Sequence, residues 1–175
     1  MGPLKGLKIL DFTTLLPGPY ATMTLADLGA EVLRIVSGSR PDLTTIQPPF
    51  LPGTNLSCAT AYLGRGKRCM ALNLKDPRAG EIVRRLMADY DILIEQFRPG
   101  VMAKLSLDYE TLKAANPGLI YCSLTGYGQT GPLKNRAGTT STTSPVRGSC
   151  PTRGGRPPAP ASRGSRSPTS PRGPI

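Results

Sequence analysis

Basic residues recur just past three runs that read as strands. Arg40 follows Glu31–Val36, Lys75 follows Arg68–Leu74, and Arg98 follows Asp91–Glu95. Strand ends on one side of a parallel sheet converge, so three cations delivered this way would share one crevice and hold an anion such as a phosphate. Asn73-Leu74-Lys75-Asp76-Pro77 sets Lys75 at a strand-to-helix junction, where a helix N-terminus also favours negative charge. Gln96-Phe97-Arg98-Pro99-Gly100 lies just past a strand end, where open α/β sheets bind their ligands. Gly64-Arg65-Gly66-Lys67-Arg68 is a fourth basic segment. Amides of its glycine turn, with its cations, would suit a phosphate; a solvated loop before a strand accounts for it equally well.

Other chemistries are set aside. Gly126-Tyr-Gly128-Gln-Thr-Gly131 spells G-x-G-x-x-G after a predicted strand, but Pro132 follows at once and no acid occurs after Glu110. A dinucleotide fingerprint must open a helix and be followed by an acid about twenty residues on, so a glycine-rich turn is expected here. The chain has no histidine, and Cys58, Cys69, Cys122 and Cys150 are too far apart for a C-x-x-C pair, so no metal site is expected. The cysteines are expected to act as small apolar packing residues.

The elements that would position these groups alternate. Leu7–Phe12 is an apolar run of strand length. Pro17-Gly18-Pro19 reads as a turn, with Pro19 opening a helix over Tyr20–Leu28 whose apolar face is Ala21, Leu25 and Leu28, and with Gly29 as its stop. Ser37–Gly53 reads as a long loop. Asp76 caps a helix over Pro77–Ala88 with Ile82, Val83, Leu86 and Met87 on one face. Short helices at Gly100–Leu105 and Tyr109–Ala115 precede a last strand at Leu119–Leu124. Strands separated by helices predict an α/β fold with a parallel sheet.

The 175 residues suffice for one domain. The net charge of +11 would point to nucleic acid or a membrane surface. Its distribution argues otherwise: residues 139–175 hold six arginines and no acid, which leaves the body with sixteen basic and eleven acidic residues. A mildly basic body suits a phosphate-rich ligand. From Thr139 onward Pro, Ser, Thr, Arg and Gly supply nearly everything, apolar periodicity stops, and disorder is predicted. With no apolar run of membrane-spanning length and no signal-peptide pattern at the start, a cytoplasmic protein with no membrane partner is expected.

Several segments, in order, resemble the family III coenzyme A transferases, which include the α-methylacyl-CoA racemases. These are Leu4-Lys-Gly-Leu-Lys-Ile-Leu-Asp-Phe12, Pro17-Gly-Pro19, Leu25-Ala-Asp-Leu-Gly-Ala-Glu-Val32, Gly64–Arg68, Leu72-Asn-Leu-Lys75, Gln96–Val101, Asn116-Pro117 with Leu119-Ile-Tyr121, and Gly126–Gly128 through Arg136–Gly138. The resemblance implies a Rossmann-like large domain of which residues 1–138 are the N-terminal region. It also implies a homodimer of interlinked chains, and acyl-CoA with a carboxylic acid acceptor as reactants. It places coenzyme A contacts on Leu15, Leu16, Pro17, Leu72, Asn73, Lys75, Gln96, Phe97, Arg98 and Lys104. The family's Arg-Pro directly after the second strand is displaced here to Arg40-Pro41, so Arg40 either substitutes from a shifted place or the contact is lost.

The resemblance also marks what is missing. After Arg136-Ala-Gly138 the family continues His-Asp-Ile-Asn-Tyr-Leu-Ala, whereas this chain has Thr139 and Thr140 at the first two positions. In the racemase branch that His is half of an acid/base pair, and in the transferase branch a later Asp is the nucleophile. A threonine hydroxyl replaces neither. Gly138–Pro145 written as GGC ACG ACA TCA ACT ACC TCG CC reads, from its third base, CAC GAC ATC AAC TAC CTC GCC, which encodes the family continuation. A one-base frameshift at codon 138 therefore accounts for the tail, and an inactive, truncated enzyme is expected. The competing expectation is a non-catalytic coenzyme A or nucleotide-binding module whose arginine-rich tail contacts nucleic acid through charge alone. The tail's lack of Tyr, Phe and Trp for base stacking disfavours it.

Overall fold

The computed structural model describes residues 2–38 and 40–138. In chain order the elements are β1 (Lys8–Asp11), α1 (Pro17–Asp27), β2 (Glu31–Val36), α2 (Leu43–Ile46), α3 (Cys58–Gly64), β3 (Lys67–Ala71), α4 (Pro77–Leu86), β4 (Ile92–Glu95), α5 (Val101–Lys104), α6 (Tyr109–Lys113) and β5 (Ile120–Ser123). Every neighbouring strand pair is parallel, in the order β3-β2-β1-β4-β5. The α/β parallel sheet expected from the sequence is present. The expected tail over residues 139–175, and Cys150 within it, lie outside the described residues.

The strand order grows outward from β1 in both directions. Right-handed crossovers then put the helices after β1 and β2 on one face, called the front, and those after β3 and β4 on the back. Alternation along the strands divides the apolar residues accordingly. Leu10, Phe12, Ile35 and Leu93 join Val83 and Met87 of the α4 segment, Met102 of α5, Leu107 and Leu112 of α6 in the larger core at the back. Ile9, Val32 and Ile94 form a smaller front cluster with Ala30, flanked by Leu25 and Ala26 of α1. Full burial of side chains such as Leu10, Leu93 and Leu112 contributes about 1.5–3 kcal/mol each.

Local chemistry sets the element ends. The Asp76 carboxylate accepts the Arg78 amide at 2.9 Å, and Pro77 takes the first helical position, where its missing N–H costs nothing. Asp108 caps α6 through the Thr111 amide. Gly29, at φ +102°, ends the α1 segment as expected. Three expectations need correction. Helix α1 begins at Pro17, not Pro19, and buries Gly18, Pro19, Thr22 and Met23, while Ala21 and Leu28 are exposed. The inward face is turned because Asp11 draws Thr22 toward the sheet. In α4 the buried spacing is Ala79, Val83, Met87, which leaves Ile82 exposed. The loop expected over Ser37–Gly53 contains the one-turn helix α2.

The front is incompletely covered. Helix α1 lies over β1 and β2 and meets α3. No described helix covers β5 on this side, so Ile120 is 59% exposed and Cys122 is exposed beside it. This corrects the expectation of packed cysteines: Cys69 and Cys122 are exposed because their edge strands offer nothing to bury them against, and Cys58, which opens α3, is only partly buried.

Candidate functional site

The switch point of this sheet lies between β1 and β4, where the chain departs in opposite directions. Ligands of open α/β sheets bind in the crevice outside the carboxyl ends of such strands. Five loops reach that edge. They carry Leu15, Leu16 and Pro17 after β1, Arg40 after β2, Leu72, Asn73 and Lys75 after β3, Gln96, Phe97 and Arg98 after β4, and Leu124 onward after β5. Lys104 ends α5, one helix beyond β4. The topology therefore brings every candidate residue to the strand-end side or to the element that follows it.

Their side chains are not alike. Arg40, Lys75, Arg98 and Lys104 are exposed, and among the described residues none forms an ion pair with a carboxylate. Leu72 and Phe97 pack partly against the back core, so their side chains serve the fold. The Asn73 side chain accepts the Lys75 amide at 3.2 Å, and the Gln96 side-chain amide donates to the Thr14 hydroxyl at 3.2 Å. The buried Oε1 of Gln96 has no partner among the described residues. The N-terminus of α4 is already occupied by Asp76. Arg78 hydrogen-bonds that carboxylate and holds its pKa at about 2, so the helix end is not a vacant anion seat.

The Gly64–Arg68 segment uses its cations internally. Arg65 pairs with Asp27 and stacks over Tyr62, Arg68 pairs with Glu31, and Lys67 turns inward. The segment precedes β3 and so stands at the opposite, amino-terminal end of that strand. The Gly126–Gly131 segment is a turn with Gly128 and Gly131 at positive φ, and no helix opens after it among the described residues. Nor does any group of three or more His, Cys, Asp or Glu among the described residues come together to hold a metal ion.

Under the front loops lies a buried polar network that the sequence reading missed. Asp11 ends β1 fully buried. One carboxylate oxygen accepts the Thr13 amide at 2.8 Å and hydroxyl at 2.5 Å; the other accepts the Thr22 hydroxyl at 2.6 Å. Lys67 Nζ donates to that same Thr22 oxygen at 2.6 Å and to the Pro19 carbonyl at 2.8 Å, and lies 3.5 Å from Asp11. Loss of solvation depresses the Lys67 pKa, and the Asp11 charge opposes that shift. A second buried pair, Arg34–Asp42, meets at 2.5 Å beside it. An acid and an arginine inside the apolar runs LKILDF and EVLRIV were the available signals, since lone charges at buried strand positions require partners.

At β4, Glu95 is buried on the back side, and desolvation raises its pKa against the hydrogen bonds from Ser123 and the Phe97 amide. It sits one residue before Gln96 and accepts the Phe97 amide of the Gln96–Arg98 loop at 2.7 Å.

Fold and site together define a doubly wound α/β domain whose exposed cations beyond the strand ends form no ion pair with a carboxylate among the described residues. Comparison with known proteins narrows this class. Residues 4–167 match the model of CoA-transferase family III, and the chain belongs to that family. It is 46% identical to the human succinyl-CoA:glutarate CoA-transferase over 83% of this chain and 33% of that protein. It is 42% identical to the human alpha-methylacyl-CoA racemase over 77% of this chain and 31% of that protein. The crystal structure of a CAIB/BAIF family protein from Brucella suis superposes with a TM-score of 0.77 at 40% identity, covering 84% of this chain and 39% of that one. The chain thus spans about a third of the length of the curated relatives it matches.

Proposed function

We propose that this chain carries the coenzyme A-recognition part of an enzyme that moves coenzyme A between carboxylic acids by way of acyl-CoA thioesters. The observation that carries the reading is the set of exposed cations in a family III fold, Arg40, Lys75 and Arg98 past the strand ends and Lys104 at the end of the helix that follows β4. Coenzyme A supplies phosphates for such cations, and Arg98 has the fork geometry for bidentate contact. Leu15, Leu16 and Pro17 supply apolar surface for its uncharged parts, Asn73 and Gln96 supply amides, and Leu72 and Phe97 support the crevice from the core.

The second reading is proton exchange at the α-carbon of an acyl-CoA, which the likeness to the human alpha-methylacyl-CoA racemase favours. Neither reaction is expected from the 175 residues themselves. Thr139 and Thr140 stand where the resemblance calls for His and Asp, and residues 139–175 are read as out-of-frame translation. The family match runs past Gly138 to residue 167, so the nucleotide sequence around codon 138 decides that point. An intact frame with no His-Asp continuation in any register removes the frameshift. A homodimer and a cytoplasmic location belong to the same reading. The exposed Leu16, Tyr20 and Ile120 support an assembly larger than this chain. No helix among the described residues is long and apolar enough to cross a membrane.

Calorimetric titration of the folded chain with coenzyme A tests the reading. Binding is expected to weaken with salt, and Lys75→Ala and Arg98→Ala are each expected to lower affinity by about tenfold to a hundredfold, in line with about 1.5–3 kcal/mol for a charge-assisted hydrogen bond. Folded protein that ignores coenzyme A overturns it. Turnover of any acyl-CoA by this chain overturns the assignment of inactivity.

A further inference from the structure

The loop between β1 and α1 is fixed at its base and bare at its tip. At the base, Thr13 is tied to Asp11, and Gly18 lies so close that a Cβ there would stand 2.2 Å from the Thr13 Cβ. At the tip, Leu15 and Leu16 are 44% and 62% exposed. Leu15 also holds φ at +61°, a left-handed conformation that a leucine adopts only when its surroundings impose it.

What imposes it comes from elsewhere in the chain. The Leu15 amide donates to Asp42 Oδ2 at 2.9 Å, and Arg34 donates to that same oxygen from within the sheet. Asp42 Oδ1 accepts the Thr44 amide at 3.0 Å, which caps α2. The Arg34 and Asp42 side chains are only 4% and 5% exposed. Asp42 therefore has no freedom of its own, and it pins two crevice loops together: the one that bears Leu15 and Leu16, and the one that bears Arg40 two residues before it. A buried ion pair is weak evidence of stabilisation, because desolvation opposes its Coulomb attraction. A pair that also holds an exposed leucine in a disfavoured conformation calls for a role beyond stability.

We propose that Asp42, clamped by Arg34, is a positioning residue that sets the Leu15–Leu16 tip relative to Arg40, so that one apolar and one phosphate-facing element of the ligand crevice are preassembled. This rests on the coenzyme A reading above and deepens it: affinity depends on a residue that touches no ligand. Preorganisation of this kind acts by removing an ordering cost from binding.

Two variants approach the device from opposite sides. Asp42→Asn removes the charge that Arg34 clamps. Leu15→Pro leaves the buried pair intact but deletes the donated N–H and forces φ near −65° at an exposed position. Leu15→Gly keeps both the amide and the positive φ. Calorimetry of the full chain with coenzyme A is expected to give about tenfold weaker binding for Asp42→Asn and for Leu15→Pro, with Leu15→Gly losing less than Leu15→Pro. A purely structural Asp42 would lower the melting temperature of Asp42→Asn and leave the coenzyme A affinity of the folded variant unchanged. Folded Asp42→Asn that binds as tightly as wild type, or Leu15→Pro that binds as well as Leu15→Gly, overturns the inference alone. Wild type that ignores coenzyme A overturns the functional reading, and this inference with it.

Discussion

The two faces of the sheet solve burial differently. At the back, Leu10, Leu93, Val83, Met87 and Leu112 close an apolar core, and the buried Glu95 stands at its margin, at the end of β4. At the front, β1, β2 and β3 place Asp11, Arg34 and Lys67 under α1, while β5 is left bare. The back face holds its helices chiefly by nondirectional apolar contact, with a few directed bonds from Asn116 to the Met87 and Tyr90 carbonyls and from Tyr121 to the Leu107 carbonyl. The front holds α1 and its preceding loop by directed polar bonds, which cost desolvation but fix angle and register. The directed bonds lie beneath the crevice, where a loop must keep one conformation to meet a ligand.

Breaking the front should cost most. Asp11→Ala strands Lys67 with Thr22 and the Pro19 carbonyl, and should lower unfolding free energy by about 3–5 kcal/mol in a urea titration. Combining Lys67→Met with Asp11→Leu should recover part of that loss, because no buried charge is then unpaired. If Asp11→Ala is tolerated as well as an exposed substitution, the contrast between the faces collapses. Breaking the back is next: Leu93→Ala, at a fully buried position, should cost about 2–5 kcal/mol through lost transfer energy and a cavity.

A smaller effect separates two carboxylates by sign. Glu95 has a folded pKa above its unfolded value, so the folded state binds the extra proton and stability falls as pH rises from 4.5 toward that raised value. Asp76 is the opposite case: its contribution is complete above 3.8 and is lost as pH falls toward about 2. Melting temperature against pH should therefore lose its downward slope above 4.5 in Glu95→Gln and keep its acid limb. An unchanged profile would contradict the burial of Glu95. The smallest effect belongs to the exposed Arg68–Glu31 pair, where Arg68→Ala should change stability by no more than about 1 kcal/mol and less in high salt.

Much of this architecture was legible in the sequence. The limits of β2 coincide with the apolar run Glu31–Val36, and Asp76-Pro77 marks the start of α4 because cap chemistry is local. The strand-end cations followed from topology alone. What escaped reading depends on partners distant in sequence. Lys67 resembles a solvated cation until Asp11, 56 residues away, is brought beside it. The phase of α1 turns on Thr22, a polar residue that hydropathy places outside and a carboxylate draws in. Helices α2 and α3 lack an apolar stripe; they are held by side-chain caps at Asp42 and Ser57. The cysteines were misjudged because thiol burial is a property of the covering layer and not of the residue.

The sheet has two outer rims, and they are not equally guarded. The β3 rim presents Arg68, and its neighbour Lys67 is anchored inward. The β5 rim, Ile-Tyr-Cys-Ser, carries no charge and ends the hydrogen-bonded ladder among the described residues. Free amides and carbonyls flanked by an uncharged, half-bare strand are a template for another extended chain. Concentrated solutions of this protein should therefore self-associate through β5 first, and a single lysine at Ile120 should be the gentlest way to keep molecules apart.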